Sequence, residues 1–165
     1  MRKTKLIITA LLIALFAIFA MGSGEDASST QEPGKASTES KVDGTIGQYT
    51  VVIDSCRLST DYEGDPVIIV KYIFTNVSSE ESTAFLYAFD ENVYQNGVGL
   101  NEAYFLDDSA NYSSDNQTKE IKKGASIEVE VAYELNDTTT DIEVEVEEFI
   151  SFNDTKITRV FSIAE

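Results

Sequence analysis

The sequence predicts an all-β domain, a two-layer sandwich of seven or eight short strands, preceded by a signal peptide and a flexible linker. Three observations carry that expectation. PVIIVKYIFTN, Pro66 to Asn76, is dense in β-branched and aromatic residues. Two runs, IEVEVAYEL from Ile127 and IEVEVEEFISF from Ile142, alternate apolar and acidic residues with the period of two that a strand imposes. Turn-forming clusters such as EGDP, NDTTT and Asn96-Gly97 then cut the chain about every 8–15 residues.

The central stretch sets the layers. On a strand, Ile68, Val70, Tyr72 and Phe74 share one face, and Val67, Ile69, Lys71, Ile73 and Thr75 share the other. One dry face and one half-dry face suit the middle of a sheet with a second layer over the first face. A helix here would be apolar all round, and the turn residues on both sides argue against it.

Taken from the start, residues 1–22 hold three bases (Arg2, Lys3, Lys5), an apolar run from Leu6 to Met21 and then small residues, the layout of a secretory signal peptide. As a helix the run spans about 24 Å, short of a hydrocarbon core of ~30 Å. Residues 23–44 are rich in Ser, Thr, Gly and charge with little to bury, and read as a flexible polar linker. Residues 45–165 form the domain.

Within it, residues 48–58 make the first strand, with Tyr49, Val51, Ile53 and Ser55 on one face and Val52, Asp54 and Cys56 on the other. Residues 83–90, TAFLYAFD, read as a strand by alternation. Asn96-Gly97 is a strong hairpin signal, because both turn positions need positive φ. Residues 103–106 are expected to extend the returning strand, and a polar loop follows at 107–118. A closed barrel is the alternative architecture, and the two glutamate-bearing runs choose against it. Paired side by side they would set like charges opposite one another, whereas a sandwich whose consecutive strands switch sheets separates them. Strands 127–135 and 142–152 are therefore expected in opposite sheets. Residues 156–164 end the fold, with Arg159 among Ile157, Phe161 and Ile163.

Charge bounds the partners. The chain has 29 acids, 12 bases and no histidine. Removing the three bases of residues 1–22 leaves nine against 29, a net charge of −20. Such a surface is repelled by nucleic acid and by anionic lipid, so any membrane contact would run through the N-terminal segment alone. A Ser-His-Asp triad is impossible without histidine, and the motifs of serine hydrolases, zinc proteases and phosphate-binding loops are absent from the sequence.

Each remaining candidate has a plain structural reading. Asp61, Glu63 and Asp65 around Gly64 offer oxygens to calcium, but Pro66 opens a strand where a complete loop would place its bidentate acid. Asp107, Asp108 and Asp115 form a second such group. Glu128, Glu130, Glu143, Glu145 and Glu147 fit solvated strand faces. Cys56, the sole cysteine, reads as a small buried hydrophobe. Tyr62, Tyr87, Tyr94, Tyr104 and Tyr112 could supply an aromatic patch. The N-x-[ST] triplets at Asn76, Asn111, Asn116, Asn136 and Asn153 reflect turns rich in Asn, Ser and Thr.

YTVVIDSCRLSTDYEGDPVIIVKYIFTN, FLYAFDENVYQNGVGL and IKKGASIEVEVAYEL together resemble a domain family of secreted Gram-positive lipoproteins of the immunoprotective-extracellular, immunoglobulin-like group. The likeness covers about residues 45–164. It implies an immunoglobulin-like sandwich, export, and a lipidated cysteine after the signal peptide. Phe19-Ala20-Met21-Gly22-Ser23 carries no such cysteine. No activity or cofactor comes with the resemblance. The resulting expectation is a non-catalytic module, secreted or at the cell surface, that binds an envelope or extracellular protein or ligand. The alternative is a metal-dependent or carboxylate-driven surface hydrolase.

Overall fold

A computed structural model describes residues 42–104, 106, 110–150 and 155–164. Residues 1–22, the linker up to Lys41, and Asp107, Asp108, Phe152 and Asn153 lie outside the described residues. Among those described, eight strands build two antiparallel sheets around one main core. They are β1 (Val42–Ile46), β2 (Tyr49–Thr60), β3 (Pro66–Asn76), β4 (Phe89–Gln95), β5 (Val98–Gly99), β6 (Ser126–Glu134), β7 (Ile142–Glu148) and β8 (Lys156–Phe161). One sheet has the order β1-β2-β3-β6 and the other β5-β4-β7-β8.

Set β1 aside and the orders β2-β3-β6 and β5-β4-β7-β8 are those of the immunoglobulin strands A-B-E and C′-C-F-G. The two IEVEV strands lie in opposite sheets, as their charge requires, and Val129, Val131, Val144 and Val146 are buried in one core. β3 sits between β2 and β6. Its face of Ile68, Val70, Tyr72 and Phe74 joins the main core, where Phe74 meets Phe85 and Phe89 edge-on at 6.0 and 5.5 Å. Its other face packs Val67 and Ile69 into a small second core with Ala103, Ala110 and Ala132.

Four expectations need correction. Residues 83–90 contain a single helical turn, α1 (Phe85–Ala88), not a strand. The buried positions Phe85, Ala88 and Phe89 are spaced i, i+3, i+4, and Leu86 and Tyr87 between them face solvent. Residues 103–106 do not lengthen the returning strand. The chain instead crosses from β5 to the far edge of β6, where Ala103 N–H donates to Ala132 O and Glu134 N–H to Asn101 O at 2.8 and 2.9 Å. This segment stands where strand D of an immunoglobulin sheet would lie. β1 begins at Val42, within the stretch read as linker. Finally, a β-bulge at Asp54, between the pairs Ile53↔Tyr72 and Ser55↔Lys71, reverses the facing of β2. Cys56 thereby turns to the main core beside Val70, and Arg57 turns outward.

β7 is shorter than the 142–152 that the alternation predicts. The strand stops at Glu148, and Phe149 and Ile150 emerge into solvent. Among the inward polar residues that break the apolar pattern, Arg159 and Gln95 each join distant parts of the chain. Arg159 of β8 donates through Nη1 to the carbonyls of Ile53 and Asp54, both at 2.7 Å, and stacks over Phe161 at 4.2 Å. It thus ties the second sheet to the bulge of the first. Gln95 of β4 holds the β6–β7 crossover: Nε2 donates to the carbonyls of Asp137 and Thr140, and Oε1 accepts from the amides of Asn136 and Asp137. Asn76 is equally committed, donating to Glu81 O and Ile121 O and accepting from Ser79 N–H.

Because Gln95 is 1% exposed and makes four bonds to one loop, its replacement strands buried polar groups. Gln95→Leu should lower stability by roughly 2–4 kcal/mol in urea unfolding. An effect below about 0.5 kcal/mol, the range of an ordinary surface change, would show that the crossover does not depend on this side chain.

Candidate functional site

The crossing segment and the loop after it lie over the outer face of the β3–β6 sheet and enclose a groove of about 460 Å³. Its described lining is Tyr104, Leu106, Asn111, Tyr112, Ser113, Ser114 and Asp115. Tyr104 is 73% exposed, and Tyr112 is half-buried against the small second core. Leu106 is bridged to Asp61, which brings the 61–65 turn to the same end of the sheet.

Local chemistry fixes this loop. Arg57 of β2 reaches across β3 to pair with Glu130 on β6, and its Nη2 donates to the carbonyls of Ala110 and Asn111 at 3.3 and 3.2 Å. Gln117, in the 3₁₀ turn Asp115–Gln117, donates to Glu130 O at 2.7 Å and to the Tyr112 hydroxyl at 3.2 Å. Asn116 donates to Glu128 O at 2.8 Å. Asn111 takes a φ of 48°, a left-handed turn that asparagine tolerates. Burial raises the Tyr112 hydroxyl above the usual tyrosine range, so it remains a neutral donor and acceptor. The groove is therefore a pre-formed recess of hydroxyl, amide and aromatic groups, and Asp115 is the carboxylate of its described lining.

The sequence candidates fall elsewhere or only partly here. Asp61, Glu63 and Asp65 do converge, with one carboxylate oxygen of each within 4.8 Å of the others. Asp61 Oδ1, however, accepts from the amides of Glu63 and Asp65, both at 2.8 Å, and so closes its own turn. Of Asp107, Asp108 and Asp115, only Asp115 belongs to the described residues. The strand glutamates are dispersed over outer faces, Glu128 with Lys71, Glu130 with Arg57 and Glu145 with Lys156. Tyr104 and Tyr112 meet in the groove, while Tyr87 sits on α1.

One acid escapes the sequence reading. Glu91 of β4 follows the inward phase of Phe89, Val93 and Gln95. Burial, then the charge of Glu102, pushes its carboxyl up to about 8. Only the acidic residue in the phase of Phe89 and Val93 could have betrayed it, and that required the start of β4 to be placed correctly. Asp137, at the opposite extreme, is held at about 2 by the amides of Thr139 and Thr140.

Two solved structures resemble this fold. The "putative lipoprotein" ycdA of Bacillus subtilis subsp. subtilis str. 168 is 17% identical, with a TM-score of 0.58 over 76% of this chain and 39% of that one. The chain thus spans about two fifths of that protein's length. A "putative lipoprotein" of Staphylococcus aureus subsp. aureus NCTC 8325 is 18% identical, with a TM-score of 0.55 over 74% of this chain and 93% of its own. No curated protein matches in sequence. The chain belongs to the family described as Domain of unknown function (DUF5067), whose model matches residues 24–148.

Two outcomes test the site's physics. Arg57→Ala should speed amide exchange at residues 110–117 while leaving the melting temperature within a few degrees, because the pair with Glu130 lies on the outer face of the sheet and is partly solvated. Unchanged exchange there would mean that the loop holds itself. Glu91 has a folded pKa above its unfolded value near 4.5, so unfolding lets it ionise, and stability falls as pH rises from about 4.5 to about 8. Glu91→Gln, which mimics the protonated acid, should stabilise by on the order of 2–4 kcal/mol at pH 9 and by almost nothing at pH 4. Denaturant unfolding at both pH values measures this, and a gain independent of pH would refute it.

Proposed function

We propose that this domain is a non-catalytic binding module of the cell envelope, and that the loop groove is its ligand seat. The observation that carries the reading is the pinning of the 110–117 loop by Arg57, Asn116 and Gln117, which spends specific side-chain bonds on keeping a recess open. Surface display is supported by the signal-peptide layout of residues 1–22, the polar stretch after it, and the lipoprotein names of the structural neighbours. The charge of −17 turns away anionic ligands. An exposed Tyr104 ring beside Ser113, Ser114 and Asn111 favours a neutral or cationic ligand rich in hydroxyl or amide groups, its apolar edge laid on the ring. A carboxylate-driven hydrolase works with paired acids, and the described groove presents Asp115 alone.

The test is binding of the chain without residues 1–22 to arrays of envelope-type glycans and peptides. Saturable retention that falls at least tenfold in Tyr104→Ala and in Asp115→Ala, with melting temperature unchanged, supports the seat. Retention equal in all three proteins removes the groove from the proposal, and turnover of any retained compound removes the non-catalytic reading.

A further inference from the structure

A second cluster lies between the sheets, apart from the groove. β4 points Phe89, Val93 and Gln95 into the interior, all at 1% exposure, and the same phase sends Glu91 inward among them. From the opposite sheet, Tyr72 of β3 and Tyr133 of β6 enter the same core with 0% and 2% exposure. Their hydroxyls approach one another without the geometry of a completed hydrogen bond, and neither finds another partner. Glu102, whose backbone bridges Tyr133, adds a second carboxylate. The charges of Glu91 and Glu102 are felt by both phenols and Glu102 acts on Glu91, so the four groups form one neighbourhood.

This neighbourhood is short of positive charge. Among the described residues, the ion pairs of Arg57, Lys71, Lys123 and Lys156 all go to other acids. Two buried hydroxyls without a partner, set beside the half-buried acids Glu91 and Glu102, are costly unless something cationic satisfies them. We infer that Glu91 and Glu102, with the hydroxyls of Tyr72 and Tyr133, form a binding site for a divalent cation of the hard, oxygen-preferring class, with calcium the best match. Two carboxylates supply up to four oxygens and the phenols two more, which together reach the six that such an ion takes at minimum. Among the described residues, β5 pairs with β4 at Tyr94 and Gln95, and Phe89–Asn92 have no strand neighbour on that edge.

The experiment takes chelator-treated full-length protein and adds calcium or magnesium chloride to about 10 mM, the range of weak extracellular sites. Thermal unfolding and titration calorimetry are read together with tyrosine fluorescence, which is unobscured because the chain has no tryptophan. The site predicts one calcium per chain, a melting temperature raised by several degrees, and a tyrosine signal that follows the same titration. Glu91→Gln and Glu102→Gln should each abolish the rise, whereas Asp61→Asn, which takes one carboxylate from the 61–65 cluster, should keep it. Absence of any saturable effect on the wild-type protein overturns the inference. So does a rise that survives Glu91→Gln and Glu102→Gln but disappears in Asp61→Asn.

Discussion

One extra residue in β2 governs much of what this domain can present to its surroundings. Without the bulge at Asp54, the alternation begun at Val51 and Ile53 would continue through Ser55, and Arg57 would face the main core. With it, Cys56 takes the inward place and the guanidinium reaches Glu130 and the carbonyls of Ala110 and Asn111. The bulge also turns the carbonyls of Ile53 and Asp54 toward the second sheet, where Arg159 meets them. A single irregularity thereby ties the layers together on one side and secures the groove on the other.

Charge explains the placing of the remaining polar groups. A chain with 29 acids and 12 bases cannot pair most of its carboxylates, so it spreads them over outer strand faces, where water screens them. The few bases are spent where they join elements: Arg57 joins β2 to β6, Lys71 joins β3 to β6, and Lys156 joins β8 to β7. Glu91 is the exception to this dispersal, and its neighbours in the core are phenols and a second acid.

How much of this was legible follows from which interactions leave a local trace. β3, β6 and β7 each bury a face of period two, and that pattern appears in the residues themselves. The hairpin was equally plain, since Asn96 and Gly97 adopt φ of 53° and 75°, as such a turn demands. TAFLYAFD satisfies both a period of two and an i, i+3, i+4 pattern over so short a run, and only the packing of Phe85 and Phe89 against Phe74 decides. β1 hides because VDGTI is weakly apolar. Its Gly44 is needed for contact, since a side chain there would meet Ile157 Cδ1 at 2.5 Å. The bulge left no mark, and the groove could not be foreseen because Arg57, Gln117 and Tyr112 meet only after distant segments cross.

The pairing of β3 with β6 has a kinetic side. Its partners, from Val67↔Glu134 to Thr75↔Ser126, lie more than fifty positions apart, and the strands between them, β4 and β5, belong to the other layer. Closing so long a loop costs entropy before any contact repays it, so folding of this kind belongs to the millisecond-to-second regime of non-local β proteins. Meanwhile the β1–β2–β3 meander can assemble from neighbours alone and carries the most apolar strand at its unfinished edge. A chain threaded outward from its N-terminus would pass through that half-built state each time, with its acidic surface as the main guard against sticking to a second copy.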